Sequence, residues 1–317
     1  VRIAGAPRAL DIAPNDLAVL TAITAPRRQG FVAAGAAATL TNELHRTLPA
    51  AIDHDAPVLA MAALATGTDA VQAEQLARAI HGRLKGAIDE QAAWIAAGAL
   101  VSGVDAARAA DVANEIYSNV YYRMDSQSHV LAMGALVAGI AGAQAAQFAN
   151  AVRDGLRRDM QDTAPAVAVA AMLGGIDARA AVSELHALHA GMRGGIRDAA
   201  HVVALGAFAR HMVAPDAARI ANDVYDAMDM SIDDYAPVVA MGAITSGTTA
   251  AEAARIANTS YRQLRAAIDD QAAWVAVASM RSGVSATAAS TLANDLYTEL
   301  NSGLDEHAAV VALGALS

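Results

Sequence analysis

The sequence predicts an all-α fold, an α-solenoid of tandem two-helix repeats 36 residues long. Three observations carry this. The segment Ala92-Ala-Trp-Ile-Ala-Ala-Gly-Ala-Leu-Val-Ser-Gly-Val returns as Ala272-Ala-Trp-Val-Ala-Val-Ala-Ser-Met-Arg-Ser-Gly-Val, 180 residues later, or five periods. Units starting at 56, 92, 128, 164, 200, 236 and 272 align without insertion or deletion. Alanine dominates the 55% hydrophobic content while aromatics make up 4%, which favours many thin, closely packed helices over a thick core.

Within a unit, the first helix carries large apolar residues at positions 3, 4, 6 and 9 and small ones at 5, 7 and 8. Position 5 is alanine throughout, from Ala60 to Ala312, and position 7 is only Ala or Gly, so neighbouring backbones can approach closely. Glycine at position 12 (Gly67, Gly103, Gly139, Gly175, Gly247, Gly283) predicts a left-handed stop. Asp69, Asp105, Asp177, Thr249 and Ser285, two residues on, are expected to cap the second helix. That helix has an i, i+4 apolar stripe such as Val112, Ile116, Val120 and Met124.

The chain divides as one repeat domain. Residues 1–19 form a partial unit, 20–55 a first unit with a loop insertion at Pro26–Gly30, 56–307 seven regular units, and 308–317 a C-terminal half-unit. Leu17–Ala25 is expected to be a first helix. The stack is expected to form a rod or superhelix of paired helices.

Composition narrows function. A formal charge of −10 argues against nucleic acid or an anionic membrane as main partner. The uncharged stretch Ser128–Val152 is Ala- and Gly-rich with Gln and Asn inside, so no membrane span is expected. No cysteine is present, which removes thiolate chemistry and disulfides and leaves the compartment undecided, with a lean toward an exported or cell-surface protein from the missing initiating methionine. No Walker loop, HExxH, nucleophile elbow, Gly-rich dinucleotide turn or calcium loop occurs, so neither an enzyme nor a cofactor is expected.

The columns show where chemistry could sit. Position 23 is Asn42, Asn114, Asn150, Asn222, Asn258 and Asn294, with Arg78 and His186 as exceptions; position 26 includes Tyr117, Tyr225, Tyr261 and Tyr297. Mid-helix asparagine is locally unfavourable, so tertiary structure must use it, either as a ladder between units or as a row gripping an extended peptide. His186 and His189 share a helix face, but zinc needs further ligands, and the column view accounts for both without metal. Acidic residues at positions 34 and 35, such as Asp53, Asp89, Glu90, Asp125, Asp233 and Asp234, precede the first helices and are expected to cap them. Acid beside each asparagine (Glu43, Glu115, Asp223, Asp295) excludes base stacking of the Pumilio kind.

On this repeat plan the architecture resembles the HEAT and armadillo solenoids. The resemblance covers the repeat layout, without a family signature, and implies that inner-helix asparagines could present to an extended peptide. The leading expectation is a non-enzymatic structural protein that assembles head to tail with copies of itself, as a filament or ring. Val310, Val311, Leu313 and Leu316 of the final helix would form the interface, since nothing follows Ser317 to cover them. The alternative is a scaffold for a peptide or protein along the Asn/Tyr face; more remote is a helical-toroid enzyme.

Overall fold

The computed structural model describes residues 31–317, which hold sixteen α-helices and no strand. The expected helix at Leu17–Ala25 and the Pro26–Gly30 insertion lie outside the described residues. Helices alternate between two layers. The outer layer comprises α1 (Ala34–Thr47), α3 (Ala70–His81), α5 (Ala106–Asn119), α7 (Gly142–Gly155), α9 (Ala178–Gly191), α11 (Ala214–Ala227), α13 (Ala250–Gln263) and α15 (Ala286–Glu299). The inner layer comprises α2 (Ala56–Thr66), α4 (Ala92–Ser102), α6 (Ser128–Ala138), α8 (Ala164–Gly174), α10 (Ala200–Ala209), α12 (Ala236–Ser246), α14 (Ala272–Ser282) and α16 (Ala308–Leu316).

Sequence explains the division. The first helices are apolar on every side and are buried on every side, as in Ala92–Ala99 of α4. The second helices bury one stripe, Ala109, Ala110, Val112, Ala113 and Ile116 in α5, and leave the rest in water. Small residues let the inner helices touch: a Cβ added at Gly98 would sit 2.9 Å from the Met133 backbone. Left-handed backbone at Gly67, Gly103, Gly139, Gly175, Gly247 and Gly283 (φ 63° to 79°) ends the inner helices. Asp69, Asp105, Asp177, Thr249 and Ser285 then accept N–H groups of the next helix. The acidic columns depart from expectation. The residue at the N-cap position of each inner helix makes no side-chain cap bond; the acids occupy short 3-10 turns, where Asp89 and Asp125 accept the N–H of the residue that follows them.

The stack is not a rod. Each inner helix packs on the next inner helix and each outer on the next outer, and then α16 packs on α2 and α15 on α1. The solenoid therefore bends fully round and meets itself. Four contacts show that this joint repeats the interior ones. Asn42 donates to the Glu299 carbonyl (3.1 Å) and accepts from the Asn301 N–H (2.9 Å), at separations of 257 and 259 residues. Inside the chain the same two bonds span 31 and 29 residues, so 257 with 31, and 259 with 29, each make 288, or eight periods of 36. A Cβ on Gly314 would meet the Met61 backbone at 2.6 Å, the counterpart of Gly98 on Met133. The Val32 N–H donates to the Ala315 carbonyl (3.0 Å), as Val104 does to Ala99 (3.1 Å) at the end of α4. The eighth repeat is thus assembled from both ends of the described chain, with its inner helix from 308–316 and its outer helix from 34–47.

This changes the reading of the last helix. Val310, Val311, Leu313 and Leu316 are 3%, 0%, 1% and 5% exposed in the single chain, because α2, α14 and α1 cover them. The uncovered face that motivated contact with a copy is filled by the chain's own first described repeat. No single helix among the described residues is long and apolar enough to cross a membrane; Ser128–Val152 falls into α6 and α7, with a bend of 118°.

Candidate functional site: the asparagine ladder and two joints that break it

The asparagine column lies between outer helices. Asn114 donates to the Arg83 carbonyl (3.0 Å) and accepts from the Lys85 N–H (2.9 Å); Asn150, Asn222, Asn258 and Asn294 repeat both bonds to the unit before them. One donor and one acceptor of each amide are thereby committed to backbone that would otherwise lack a partner at the end of the preceding outer helix. The exceptions keep half the rung each. Arg78 donates to the Thr47 carbonyl, and His186 accepts from the Arg157 N–H (3.4 Å). Tyr117, Tyr225, Tyr261 and Tyr297 are half-buried beside this ladder. Tyr117 and Tyr225 fill the space over Gly86 and Gly195 of the preceding loop, and Arg265 lies 5.8 Å over the Tyr297 ring.

Two joints carry polar groups that the repeat does not explain, and column reading missed both. The first spans the closure. Position 36, the residue just before an inner helix, reaches the inner helix that follows that one, which brings together His307, Asp55, Trp94 and, beyond it, His129. Burial holds the Asp55 carboxyl above the usual carboxylate range, opposed by His54, the Trp94 indole and His307. Burial pushes His307 down, opposed by Glu306, Asp55 and Asp305. Trp94 and His129 meet edge to face, with centroids 5.8 Å apart. His307 and Asp55 lie in units seven periods apart in sequence, so closure alone makes them neighbours.

The second joint lies between the units starting at 128 and 164, where several columns depart at once: His186 for Asn, His189 for the commoner Tyr, and Asp159 in a column of mostly small residues. Arg157 Nη2 lies 3.2 Å from His189 Nδ1 and 3.4 Å from Asp159. His189 Nε2 lies 4.0 Å from the Asp198 carboxylate. Burial lowers the His189 pKa, helped by Arg157 and Arg197 and opposed by Asp198 and Asp159. Burial pushes His201 down to about 4 and His129 likewise. Among the described residues no three His, Asp or Glu side chains converge as metal ligands. Compared with protein-family models, with curated proteins and with solved structures, the chain finds no match in any of the three.

Proposed function

We propose that the chain is a self-closed, non-enzymatic ring scaffold that recognises a peptide or protein through the loops leading into its inner helices. The observation that carries this reading is a contrast between columns. The asparagine ladder repeats along the outer helices, whereas positions 30 to 32 vary from unit to unit: Lys85-Gly-Ala, Tyr121-Tyr-Arg, Arg157-Arg-Asp, Asp229-Met-Ser. These loops also hold large apolar side chains in water. Tyr122 is 88% and Met230 91% exposed in the same column. A repeat array that keeps its frame constant and varies one row of loops is built as a binding platform. The asparagines are a poorer peptide row than the sequence resemblance implied, since ladder bonds already occupy them.

Head-to-tail assembly with copies is the weaker reading, because the α16 face that motivated it is covered within the chain. A peptide-display selection against the ring, counter-selected on the double variant Tyr122→Ala/Met230→Ala, tests the proposal. Binders lost on the variant, with its melting temperature unchanged, support it. Binders indifferent to both substitutions, or a variant that loses stability, contradict it.

A further inference from the structure

Among the described residues, the α7–α9 joint is the one place where the rung between outer helices rests on a titratable acceptor. In six joints the position-30 N–H (Lys85, Tyr121, Arg193, Asp229, Arg265, Asn301) donates to an asparagine oxygen. At the joint of Arg78 that position is Pro49, which has no N–H, so a side chain that only donates completes the rung. At the α7–α9 joint the Arg157 N–H donates instead to His186 Nε2 (3.4 Å), and His186 makes no bond to the Gly155 carbonyl that an asparagine amide would serve.

The second imidazole of this joint is an acceptor as well. Arg157 Nη2 lies 3.2 and 3.5 Å from the two ring nitrogens of His189. A guanidinium can only donate, so whichever nitrogen takes the bond does so with a lone pair. His45 and His81 stand in the same column with the opposite role. Their Nδ1 atoms meet the carbonyls of Asp53 (3.0 Å) and Asp89 (2.9 Å), and a carbonyl only accepts, so those rings donate. An imidazolium has two N–H donors and no lone pair. Protonation therefore leaves the bonds of His45 and His81 intact and removes both bonds by which Arg157, just beyond the end of α7, holds α9.

The charged groups around the joint are largely engaged elsewhere. On α7, Arg153 lies over the Tyr121 ring and Asp154 accepts from the Tyr121 hydroxyl; on α9, Glu184 accepts the Ala214 N–H. α8 carries no charged side chain. In the loop after α7, Asp159 lies 3.4 Å from Arg157, while Arg158 and Asp162 are exposed. In the loop after α9, Arg193 pairs with Asp226, and Asp198, 4.0 Å from His189, has a side chain 96% exposed to water. Burial, Arg157 and Arg197 hold His189 below the usual imidazole range against the pull of Asp198 and Asp159. A histidine that binds protons more weakly folded than unfolded loosens its surroundings as pH falls. His201 at the start of α10, pushed down to about 4 by burial, is still mostly neutral at about pH 5.

We propose that the α7–α9 joint is an acid-released hinge of the ring: protonation of His186 and His189 frees Arg157 and lets α9 part from the end of α7, while the seam and the remaining joints hold. The hinge stands whether or not the loop platform has a partner.

Two measurements on the whole chain test this at about pH 7.5 and about pH 5, on either side of the imidazole range. In amide hydrogen exchange, expressed as protection relative to the unfolded rate at each pH, the Arg157 N–H should lose about tenfold on acidification, as expected for one hydrogen bond. The six asparagine-held N–H groups should keep their protection. Spin labels at Gln147→Cys on α7 and Ser183→Cys on α9 should give a longer, broader distance distribution at the lower pH. Labels at Gln75→Cys and Asp111→Cys, the same exposed unit position across the α3–α5 joint, should not move. His186→Asn with His189→Tyr gives the joint the pair that the next unit has in Asn222 and Tyr225, and should abolish both pH effects. Arg157 protection that follows the other six, an α7–α9 distance that stays put, or a pH response that survives the double variant each overturns the proposal.

Discussion

At the scale of single residues, the structure separates columns the fold uses from positions where it tolerates a cost. His211 is the clearest cost. It occupies position 12, where the regular units place glycine, and it is the one non-glycine with positive φ (50°) among the described residues. Left-handed backbone costs a side-chain-bearing residue about 1–2 kcal/mol. His211→Gly should therefore raise stability by about 1 kcal/mol in urea denaturation; a loss would mean the imidazole does something unseen. The ladder predicts the reverse. Asn222→Ala leaves the Gly191 carbonyl and the Arg193 N–H without their partner and should cost about 1–3 kcal/mol. A neutral effect would mean water replaces the amide freely. The buried imidazoles give a pH dependence. His129 and His201 bind protons more weakly folded, at about 4, than unfolded, near 6.5, so between these values protons favour the unfolded chain. Stability is full above pH 6.5 and falls as pH drops toward 4, by up to about 3 kcal/mol for each ring. Asp55, raised on folding, works in the opposite sense. Replacing both histidines by leucine should flatten the curve; an unchanged curve would place the titration elsewhere.

At the scale of elements, most of the fold was legible in the sequence because each signal was local. The glycine stops, the outer-helix caps and the alternation of an all-apolar with an amphipathic helix are written within one period. The acidic columns misled, since their position just before a helix looks like capping while the backbone there makes a 3-10 turn, inside which Asp89 and Asp125 bond the N–H of the next residue instead. The joints were illegible for a different reason. Asp55, Trp94, His129 and His307 come from different units, and no spacing rule brings position 36 of one unit onto an inner helix two units on. The second joint did leave a trace, column exceptions at Asp159 and His186, but each exception alone reads as drift. The inner-helix contacts carry their own prediction. A methyl at Gly314 would overlap the Met61 backbone, so Gly314→Ala should cost about 1–3 kcal/mol by overpacking, comparable with Gly98→Ala in the interior. If only Gly98→Ala is costly, α16 does not sit on α2.

At the scale of the whole molecule, closure is the central claim, and period and pattern did not reveal it. A 36-residue repeat fixes what a joint looks like, but the small rotation at each joint decides between rod, superhelix and ring. Here eight rotations complete a turn, and the last inner helix takes the seat beside the first described outer one. Buried area alone favours this: four large apolar side chains of α16 leave water without a second molecule, at roughly 25 cal/mol per Å². The decisive measurement is a pair of spin-label distances sharing one site, in a chain whose native sequence has no cysteine to interfere. Thr298 on α15, Arg262 on α13 and Arg46 on α1 occupy the same exposed unit position. Arg262 is one unit before Thr298 in sequence, and Arg46 is seven units away. With cysteine labels, the Arg46–Thr298 pair should give the same short distance distribution as the Arg262–Thr298 pair, in dilute protein diluted further with unlabelled chain. A long or absent Arg46–Thr298 distance, beside a short Arg262–Thr298 one, would mean the solenoid is open.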